Sequence, residues 1–483
     1  MFDYRPITFV VGLLLCVLAA AMLLPALVDL AAGHADWTVF AASAGVTFFV
    51  GAALSITSRA SDFQLRVKEA FVLTTLSWLV IAAFGALPFA FSAFDLSYTD
   101  AFFESMSGVT TTGSTVIVGL DTAPPGLLIW RSMLQWLGGI GIIVMAISIM
   151  PMLRIGGMQL FRMESSEKSE KALPRAAQVA SSIAFLYVAL TLVCAGSYAV
   201  AGMPAFDAIA HSMTTVATGG FSTSDLSIGF YGSAAVDYVG VVFMISGSLP
   251  FVLYLRAVRG DLMSLLRDEQ VRLFFAILAT IVVVMALYLW ATREPLDLLL
   301  AFRLAAFNVT SVMTGTGYAT SDFGQWGPFA VSAMLFVMFI GGCAGSTTCG
   351  IKIFRFQVLY ATTRTQLRKL THPNGVFITY YNRKPVPESV SASVMAFFFI
   401  YMVSFAVLSA ALGLAGLDFI TAVSGAATAI SNVGPGLGNT IGPATTFASL
   451  PDSAKWLMSF GMLLGRLELF TVLILFAPRF WKS

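Results

Sequence analysis

The sequence DAFFESMSGVTTTGST occupies residues 100–115, where a run of residues that suits a short helix gives way to a stretch rich in threonine and glycine. Three later segments follow the same plan, and in all four a glycine lies 13 residues after the segment begins. Equal spacing in four segments indicates an internal repeat. The other segments are DAIAHSMTTVATGGFST (207–223), LAAFNVTSVMTGTGYAT (304–320) and TAVSGAATAISNVGPGLG (421–438). The four glycines are Gly113, Gly220, Gly317 and Gly434.

The composition of the whole chain is typical of a membrane protein. Of its 483 residues, 58% are hydrophobic and 11% are charged, and the mean hydropathy is +0.86. So much apolar surface cannot be buried in one water-soluble core, and a helix needs about 20 apolar residues to cross a bilayer. The first apolar stretch is too long for a typical cleaved signal sequence, so we expect it to be retained. Ten candidate spans lie near 7–30, 38–56, 70–92, 127–152, 176–201, 234–255, 272–291, 329–356, 390–414 and 456–478.

The distribution of charge predicts the orientation of the chain. With the N-terminus inside, 22 of the 27 Lys and Arg residues fall on the inner side of the ten predicted spans. Because positively charged loops stay on the cytoplasmic side, both termini are expected to be cytoplasmic. The outer side carries 14 acidic and four basic residues, and such a negative mouth would raise the local concentration of cations.

Each repeated segment predicts a loop that enters the membrane and returns. Its helical part is too short to cross a bilayer, and the glycine and β-branched residues that follow disfavour a helix. Non-helical backbone at membrane depth is tolerated only where it lines a cavity or is packed in protein. Ordinary surface loops are also rich in Gly, Ser and Thr, but they would need no matched spacing, so four loops around one pore is the better interpretation.

The predicted fold is therefore an all-α polytopic membrane protein with ten spans and four re-entrant loops. After two N-terminal spans, four helix–pore-loop–helix repeats would surround one pore in a pseudo-four-fold arrangement. The predicted divisions are 1–68 for the two-span N-terminal extension, 69–153 for repeat 1, 154–260 for repeat 2, 261–387 for repeat 3 and 388–483 for repeat 4.

The chemistry of the loops favours passage of a monovalent cation, K⁺ above all. A ring of backbone carbonyls can replace the water shell of a cation without a fixed charge that would trap it. Glycine allows the positive φ angles that turn successive carbonyls the same way. The fourth loop departs most from a threonine-rich pattern, so strict four-fold symmetry is not expected. The predicted filter residues are Thr111, Thr112, Gly113, Thr218, Gly219, Gly220, Gly315, Thr316, Gly317, Asn432, Val433 and Gly434.

Four ionisable residues on the predicted loop helices suggest catalytic acids or metal ligands at first sight. We expect them to cap and pack these helices instead, because an Asp at a helix start satisfies free N–H groups. These residues are Asp100, Glu104, Asp207 and His211.

The eighth predicted span contains GGCAGSTTCGIK at residues 341–352, where glycines and small polar residues replace helix formers. Its exposed backbone groups would need partners, so the segment should line the conduction path; a small-residue helix-packing seam is the alternative. Arg466 lies deep in the last span, where a charge must face the protein interior or a water-filled cavity. It could pair with Glu468, bond the carbonyls of the broken segment or form a positive barrier below the filter, and the spacing disfavours the pair.

These residues resemble a known family. The four loops look like degenerate forms of the TVGYG filter of K⁺ channels, and their arrangement resembles the Trk/Ktr/HKT superfamily of K⁺ transporters, with the bacterial TrkH/TrkG membrane subunit as the best match. The resemblance covers nearly the whole chain and extends to QWLGGIGIIV (135–144) and GRLELF (465–470). It implies uptake of K⁺, or of Rb⁺, across the bacterial cytoplasmic (inner) membrane, because one glycine per loop governs selectivity in the family.

The resemblance also implies a gate and partners. The broken segment and Arg466 would form a gate beneath the filter. A homodimer would sit on a cytosolic, nucleotide-binding TrkA-type ring that binds NAD(H) or ATP, and the basic inner loops at 154–175 and 357–388 could dock it. The gate residues so implied are Gly341, Gly342, Gly345, Ser346, Thr347, Gly350, Lys352 and Arg466.

Two other functions stay open on the sequence. A secondary transporter that couples K⁺ to H⁺ or Na⁺ also uses repeats and broken helices, although these repeats share one orientation. A membrane-embedded enzyme would need a nucleophile with a base or a metal cluster, and the three histidines lie in different regions. Neither a GxGxxG nor a GxxxxGK(S/T) motif occurs, so we expect no organic cofactor in this chain, and no nucleic-acid partner.

Overall fold

The computed structural model describes residues 3–59, 66–148, 172–293, 296–382 and 384–482. Within these ranges the secondary structure is helical, apart from a short antiparallel pairing of strand Tyr380–Tyr381 with strand Lys384–Pro385 and an isolated β-bridge between Ile340 and Ile351. Most of the basic segment predicted at 154–175, up to residue 171, lies outside the described residues, as does the predicted boundary between repeats 1 and 2.

Seven helices in the described ranges are long and apolar enough to cross a bilayer. Two bent pairs of helices would each add one span: Ala234–Ser248 with Phe251–Val258, bent by 96°, and Asp452–Arg466 with Phe470–Phe476, bent by 110°. Length and composition thus support up to nine spans and confirm a polytopic helical membrane protein. The seven helices are Arg5–Ala32, Trp37–Thr57, Val67–Ala90, Pro125–Ser148, Ala172–Val200, Glu269–Thr292 and Glu388–Leu414.

No single helix fills the predicted eighth span, 329–356, and its two helical parts do not form one of the bent pairs. Pro328–Val337 is helical, residues 338–352 are not, and the helix that follows is Ile353–Thr371. Glycines in the non-helical part explain the break, since Gly345 and Gly350 adopt φ of +77° and +69°, which other residues take at a cost. A count of ten spans is reached only if this divided segment crosses the bilayer as well.

The first two helices form a hairpin through close contact of their backbones. A Cβ on Gly12 would lie 2.6 Å from the Gly51 carbonyl oxygen, and a Cβ on Gly51 would lie 2.8 Å from the Gly12 carbonyl oxygen. Small residues at such contacts are a common means of packing helices in a bilayer. Asp29 joins the hairpin to Pro125–Ser148 by accepting the Gly126 N–H at 2.6 Å.

Four short helices, numbered 1 to 4 in chain order, carry the repeated segments and pack on longer helices. Short helix 2 packs on Pro125–Ser148, which follows short helix 1, and short helix 3 packs on Ala234–Ser248, which follows short helix 2. Short helix 1 packs on Asp452–Arg466, which follows short helix 4, and short helix 4 itself packs on Glu388–Leu414 and Asp452–Arg466. The C-terminal turns of all four are buried, so the chain after each helix begins in the protein interior. Short helices 1 to 4 are Tyr98–Val109, Ala205–Val216, Leu298–Met313 and Phe419–Ser431.

Candidate functional site

The chain after each short helix adopts the same backbone conformation. These stretches are loop 1 (110–116), loop 2 (217–223), loop 3 (314–320) and loop 4 (432–437). In each loop the predicted glycine has a positive φ, and so has the residue two positions before it. The pairs are Thr111 (+52°) with Gly113 (+87°), Thr218 (+51°) with Gly220 (+77°), Gly315 (+69°) with Gly317 (+82°), and Asn432 (+53°) with Gly434 (+114°).

The residue between the two members of each pair, called the middle residue of its loop, makes the same hydrogen bond in all four loops. Its N–H donates to the carbonyl five residues earlier, in Thr112 to Ser107, Gly219 to Thr214, Thr316 to Ser311, and Val433 to Thr428. A left-handed residue on each side of it costs about 1–2 kcal/mol where that residue is not glycine. Strain of this kind persists where the surroundings impose the conformation, commonly at ligand sites.

The four loops meet in a closed ring. A Cβ added to the glycine of one loop would meet the carbonyl oxygen of the middle residue in the next loop, and loop 4 closes on loop 1. The contacts run from Gly113 to Gly219, from Gly220 to Thr316, from Gly317 to Val433, and from Gly434 to Thr112. At Gly434 the separation would be 2.9 Å, and at the other three glycines it would be shorter. Only glycine allows the loops to approach this closely, so the ring brings four backbone carbonyl oxygens together.

Burial distinguishes the glycines from their neighbours in the ring. Gly113, Gly220 and Gly317 are partly exposed, whereas the other nine predicted filter residues, Gly434 included, are buried. Within the part of the chain that the structure describes, no three His, Cys, Asp or Glu residues come together to hold a metal ion. The ring therefore offers a cation uncharged oxygens, among them those of the backbone carbonyls.

The expected role of Asp100 as a helix cap needs correction. Ser97 caps short helix 1 by accepting the Asp100 N–H at 3.1 Å, and the Asp100 carboxylate instead accepts a bond of 2.5 Å from Lys455. At short helix 4 the cap is Asp418, which accepts the Thr421 N–H at 3.2 Å. Hydrogen bonds from Thr421 lower the pKa of the Asp418 carboxyl.

Glu104, Asp207 and His211 fasten short helices to the loops that follow them. Glu104 accepts the Val116 N–H at 2.9 Å. Asp207 accepts a bond from the Thr223 hydroxyl at 2.8 Å, and His211 Nε2 lies 2.9 Å from the Ser222 Oγ. Their contacts hold the loops in place.

A buried arginine that the sequence did not single out joins loops 1 and 2. Arg131 Nε donates to Glu104 at 2.8 Å, and its Nη1 donates to the Ser222 carbonyl at 2.7 Å. The guanidinium lies 4.1 Å from the ring centroid of Phe221. Its Nη2 donates to the Thr115 hydroxyl of loop 1 at 3.1 Å. Arg131 is 1% exposed, so these contacts lie in the protein interior and not in a charged outer mouth.

The non-helical segment at 341–350 lies against loop 2. Thr218 donates its hydroxyl to the Thr347 hydroxyl oxygen at 3.2 Å, and Thr347 donates to the Gly247 carbonyl at 2.8 Å. Arg466, 1% exposed, donates to the Thr347 carbonyl at 3.0 Å and to the Gly138 carbonyl at 2.9 Å. Of the three arrangements considered for Arg466, the structure has the bond to the broken segment.

Glu468 pairs with Arg355 instead of Arg466. Glu468 and Leu469, two and three residues after the helix ends at Arg466, both have a positive φ, of +61° and +46°. The backbone therefore turns between the two charges, which directs the carboxylate toward a different arginine.

The remaining predicted gate residues form a compact turn. Gly341 donates its N–H to the Ile351 carbonyl at 3.0 Å, which joins the beginning of the segment to the residue after its end. A Cβ on Gly342 would lie 2.6 Å from the Thr348 Oγ1. A small cavity beside Arg466 is lined by Ile142, Gly345, Ser346, Thr348, Cys349, Gly350, Lys352, Gly465 and Glu468. The Ser346 hydroxyl donates to the Cys343 carbonyl at 2.6 Å, and Lys352 Nζ donates to the Thr348 carbonyl.

A polytopic helical protein in which four internal loops close a ring of backbone carbonyls is of the cation-transporting class. The model of the family described as "TrkH: Cation transport protein" matches residues 37–483. The chain belongs to this family, which consists of transporters and not of enzymes. The resemblance to Trk membrane subunits is thereby confirmed.

Curated relatives and a solved structure match along nearly the full length. The chain is 46% identical to the Trk system potassium uptake protein TrkI of Halomonas elongata, over 99% of this chain and 97% of the relative. It is 39% identical to the Trk system potassium uptake protein TrkH of Escherichia coli, over 99% and 100%. The crystal structure of the potassium transporter TrkH from Vibrio parahaemolyticus matches with a TM-score of 0.92 at 38% identity, over 99% of this chain and 100% of that one.

Proposed function

We propose that this chain takes up K⁺, with Rb⁺ as a substitute, across the bacterial cytoplasmic membrane. The observation that carries the proposal is the closed ring, in which the glycine of every loop contacts the middle carbonyl of the next. Relatives named as potassium uptake proteins, at 35–46% identity over nearly the whole chain, support the choice of ion.

In this proposal the ring is the selectivity filter. A K⁺ ion would exchange part of its water shell for the carbonyl oxygens of Thr112, Gly219, Thr316 and Val433. Because these oxygens carry no net charge, the ion could also leave the site. The short helices end at the ring, and their C-termini would each add about half a negative charge directed toward the ion.

The test is uptake of radiolabelled Rb⁺ into liposomes that hold this chain alone, with K⁺ or Na⁺ as competitor. We expect K⁺ to suppress uptake at concentrations at which Na⁺ does not. Equal competition by the two ions would contradict the proposal. The same assay with an imposed pH gradient tests the alternative of a K⁺/H⁺ symporter, since uptake that follows the gradient requires coupling; an imposed Na⁺ gradient tests K⁺/Na⁺ coupling in the same way.

We further propose that residues 341–350 and Arg466 gate the path beneath the ring. The contacts of Thr347 with Thr218 on one side and with Arg466 on the other support this role. Arg466 would hold the segment across the path and repel cations in the closed state. Movement of the segment away from loop 2 would break a few hydrogen bonds, each worth about 0.5–1.5 kcal/mol net.

The gate is tested with Arg466→Ala and with a deletion of residues 341–350, each compared with Arg259→Ala, a change at an exposed arginine. Both gate variants should raise the initial rate of Rb⁺ uptake, and the control should not. Rates equal to or below wild type in both gate variants would contradict the gating role.

The assembly proposed for this chain is a homodimer on a cytosolic TrkA-type ring that binds NAD(H) or ATP. Each subunit would contain the two-span extension and four repeats divided as predicted, with both termini cytoplasmic. The helix Ile353–Thr371, which carries exposed basic residues in its last turns, would contribute to the docking surface. Cross-linking in membranes tests the homodimer, and co-purification with the ring protein tests the contact with the ring.

A further inference from the structure

One side chain holds the backbone of loop 2 at two points. Gln135, fully buried, donates from Nε2 to the Gly219 carbonyl at 2.6 Å. Its Oε1 accepts the Phe221 N–H at 3.0 Å. The two hydrogen bonds therefore lie on either side of Gly220, the glycine that contacts loop 3.

This arrangement makes one ring carbonyl different from the other three. Among the described residues, a side-chain donor bonds the Gly219 carbonyl, whereas the side-chain hydrogen bonds of the structure do not reach the carbonyls of Thr112, Thr316 or Val433. A carbonyl oxygen that accepts a short hydrogen bond is held in place and shares its electron density with the donor. The ring therefore contains one carbonyl fixed by the protein.

The sequence of loop 2 is adapted to this contact. Loops 1 and 3 have threonine at the middle position, and each threonine bonds another threonine of its own loop: Thr112 with Thr110 at 2.8 Å and Thr316 with Thr314 at 2.7 Å. Loop 2 has Gly219 there, and a Cβ on Gly219 would overlap the carboxamide of Gln135. The glutamine thus occupies the place that a side chain fills in loops 1 and 3.

A second residue of the same helix extends the contact. Arg131, one turn before Gln135, donates to the Ser222 carbonyl at 2.7 Å. Residues four apart on a helix share a face, so this face of Pro125–Ser148 holds the backbone of loop 2 from Gly219 to Ser222.

We propose that Gln135 is a positioning residue that sets the ion discrimination of the filter by fixing the Gly219 carbonyl. The inference rests on the proposed function, since it assigns the source of selectivity within the same ring. A ring with one immobile carbonyl adapts less readily to the smaller Na⁺ ion. Release of that carbonyl should therefore favour Na⁺ more than it favours K⁺ or Rb⁺.

The first test is Gln135→Met, which keeps the length of the side chain and removes both hydrogen bonds. We expect the ratio of Rb⁺ to Na⁺ uptake in liposomes to fall about tenfold, with a higher KM for Rb⁺ and a similar maximal rate. The matched control is Ser132→Ala, at a buried residue of the same helix whose hydroxyl bonds only its own helix, at the Leu128 carbonyl, at 3.1 Å. An unchanged ratio in Gln135→Met overturns the inference.

The second test uses the steric contact and serves if Gln135→Met does not fold. Gly219→Ala should lower the ratio by displacing Gln135, and Gln135→Ala should lower it by removing the hydrogen bonds. Because Gln135→Ala makes room for the new methyl group, the two changes together should cost less than the sum of their separate effects. Additive effects overturn the inference. Lack of Rb⁺ uptake by the unmodified chain would instead contradict the proposed function.

Discussion

Replacement of Gly317 by serine should lower the proposed preference for K⁺ over Na⁺. Gly317 has φ of +82°, and a Cβ there would collide with the Val433 carbonyl oxygen and lie 2.9 Å from Pro435 Cδ. Neither neighbour is the end of a flexible side chain. The backbone of loop 4 must therefore move, and the atom that moves is a carbonyl of the ring.

The expected size of the effect follows from two contributions. A non-glycine residue in the left-handed region costs about 1–2 kcal/mol, and this cost lowers the stability of loop 3 without directly changing which ion binds. Overpacking in a close-packed site costs about 1–3 kcal/mol, and here the displaced carbonyl transmits the strain to the ion site. Since about 1.4 kcal/mol corresponds to a tenfold change, we expect the K⁺ over Na⁺ ratio to fall by a factor between about 5 and about 140.

The assay is Rb⁺ uptake into liposomes with Na⁺ as competitor, together with the thermal unfolding midpoint of each purified variant. Gly202→Ser is the matched control, because Gly202 has φ of +97° and nothing within 4 Å of an added Cβ. It should lower the midpoint and leave the ion ratio intact. The reasoning is refuted if Gly317→Ser keeps the wild-type ratio, or if Gly202→Ser reduces the ratio as much.

Three further outcomes are expected. Gly434→Ala should reduce the ratio of K⁺ to Na⁺ competition less than Gly220→Ala does in the same uptake assay. The reason is that an added Cβ on Gly434 would lie 2.9 Å from the Thr112 carbonyl oxygen, whereas one on Gly220 would lie closer to the Thr316 carbonyl oxygen. The reverse order would contradict the ring geometry. Arg131→Met should destabilise the protein by about 3–5 kcal/mol in thermal or chemical unfolding, since it leaves a buried carboxylate without its charge partner. Gly12→Ala should lower the unfolding midpoint by separating the N-terminal hairpin, whereas Gly45→Ala, which has open space, should leave it equal or higher.

Much of the architecture could be predicted from the sequence because the signals are local or periodic. Hydropathy depends on composition, so the helices that span the bilayer can be located along the chain without knowledge of their neighbours. The spacing of 13 residues to Gly113, Gly220, Gly317 and Gly434 marks the repeats. The break at 341–352 is likewise encoded locally, because glycine and small polar residues disfavour a helix.

Other features of the loops could not be predicted, because local preference opposes them. Thr111 and Thr218 adopt the left-handed conformation that the sequence suggests only for glycine. The surrounding packing imposes this conformation, so no propensity reports it. Gly315 and Asn432, at the matching positions of loops 3 and 4, are residue types that adopt this conformation more readily, and they point to it in the sequence.

The sequence by itself determined that this protein lies in a membrane, that it contains four segments with a glycine at the same spacing, and where the close-packed glycines fall. Only the tertiary structure decided which loop contacts which, that Glu468 pairs with Arg355, and that Gln135 fixes the Gly219 carbonyl. The partners in those contacts lie 84 or more positions apart. Such pairings depend on how the helices pack around the ring, and the residues next to a side chain in the sequence do not indicate which distant residue it will contact.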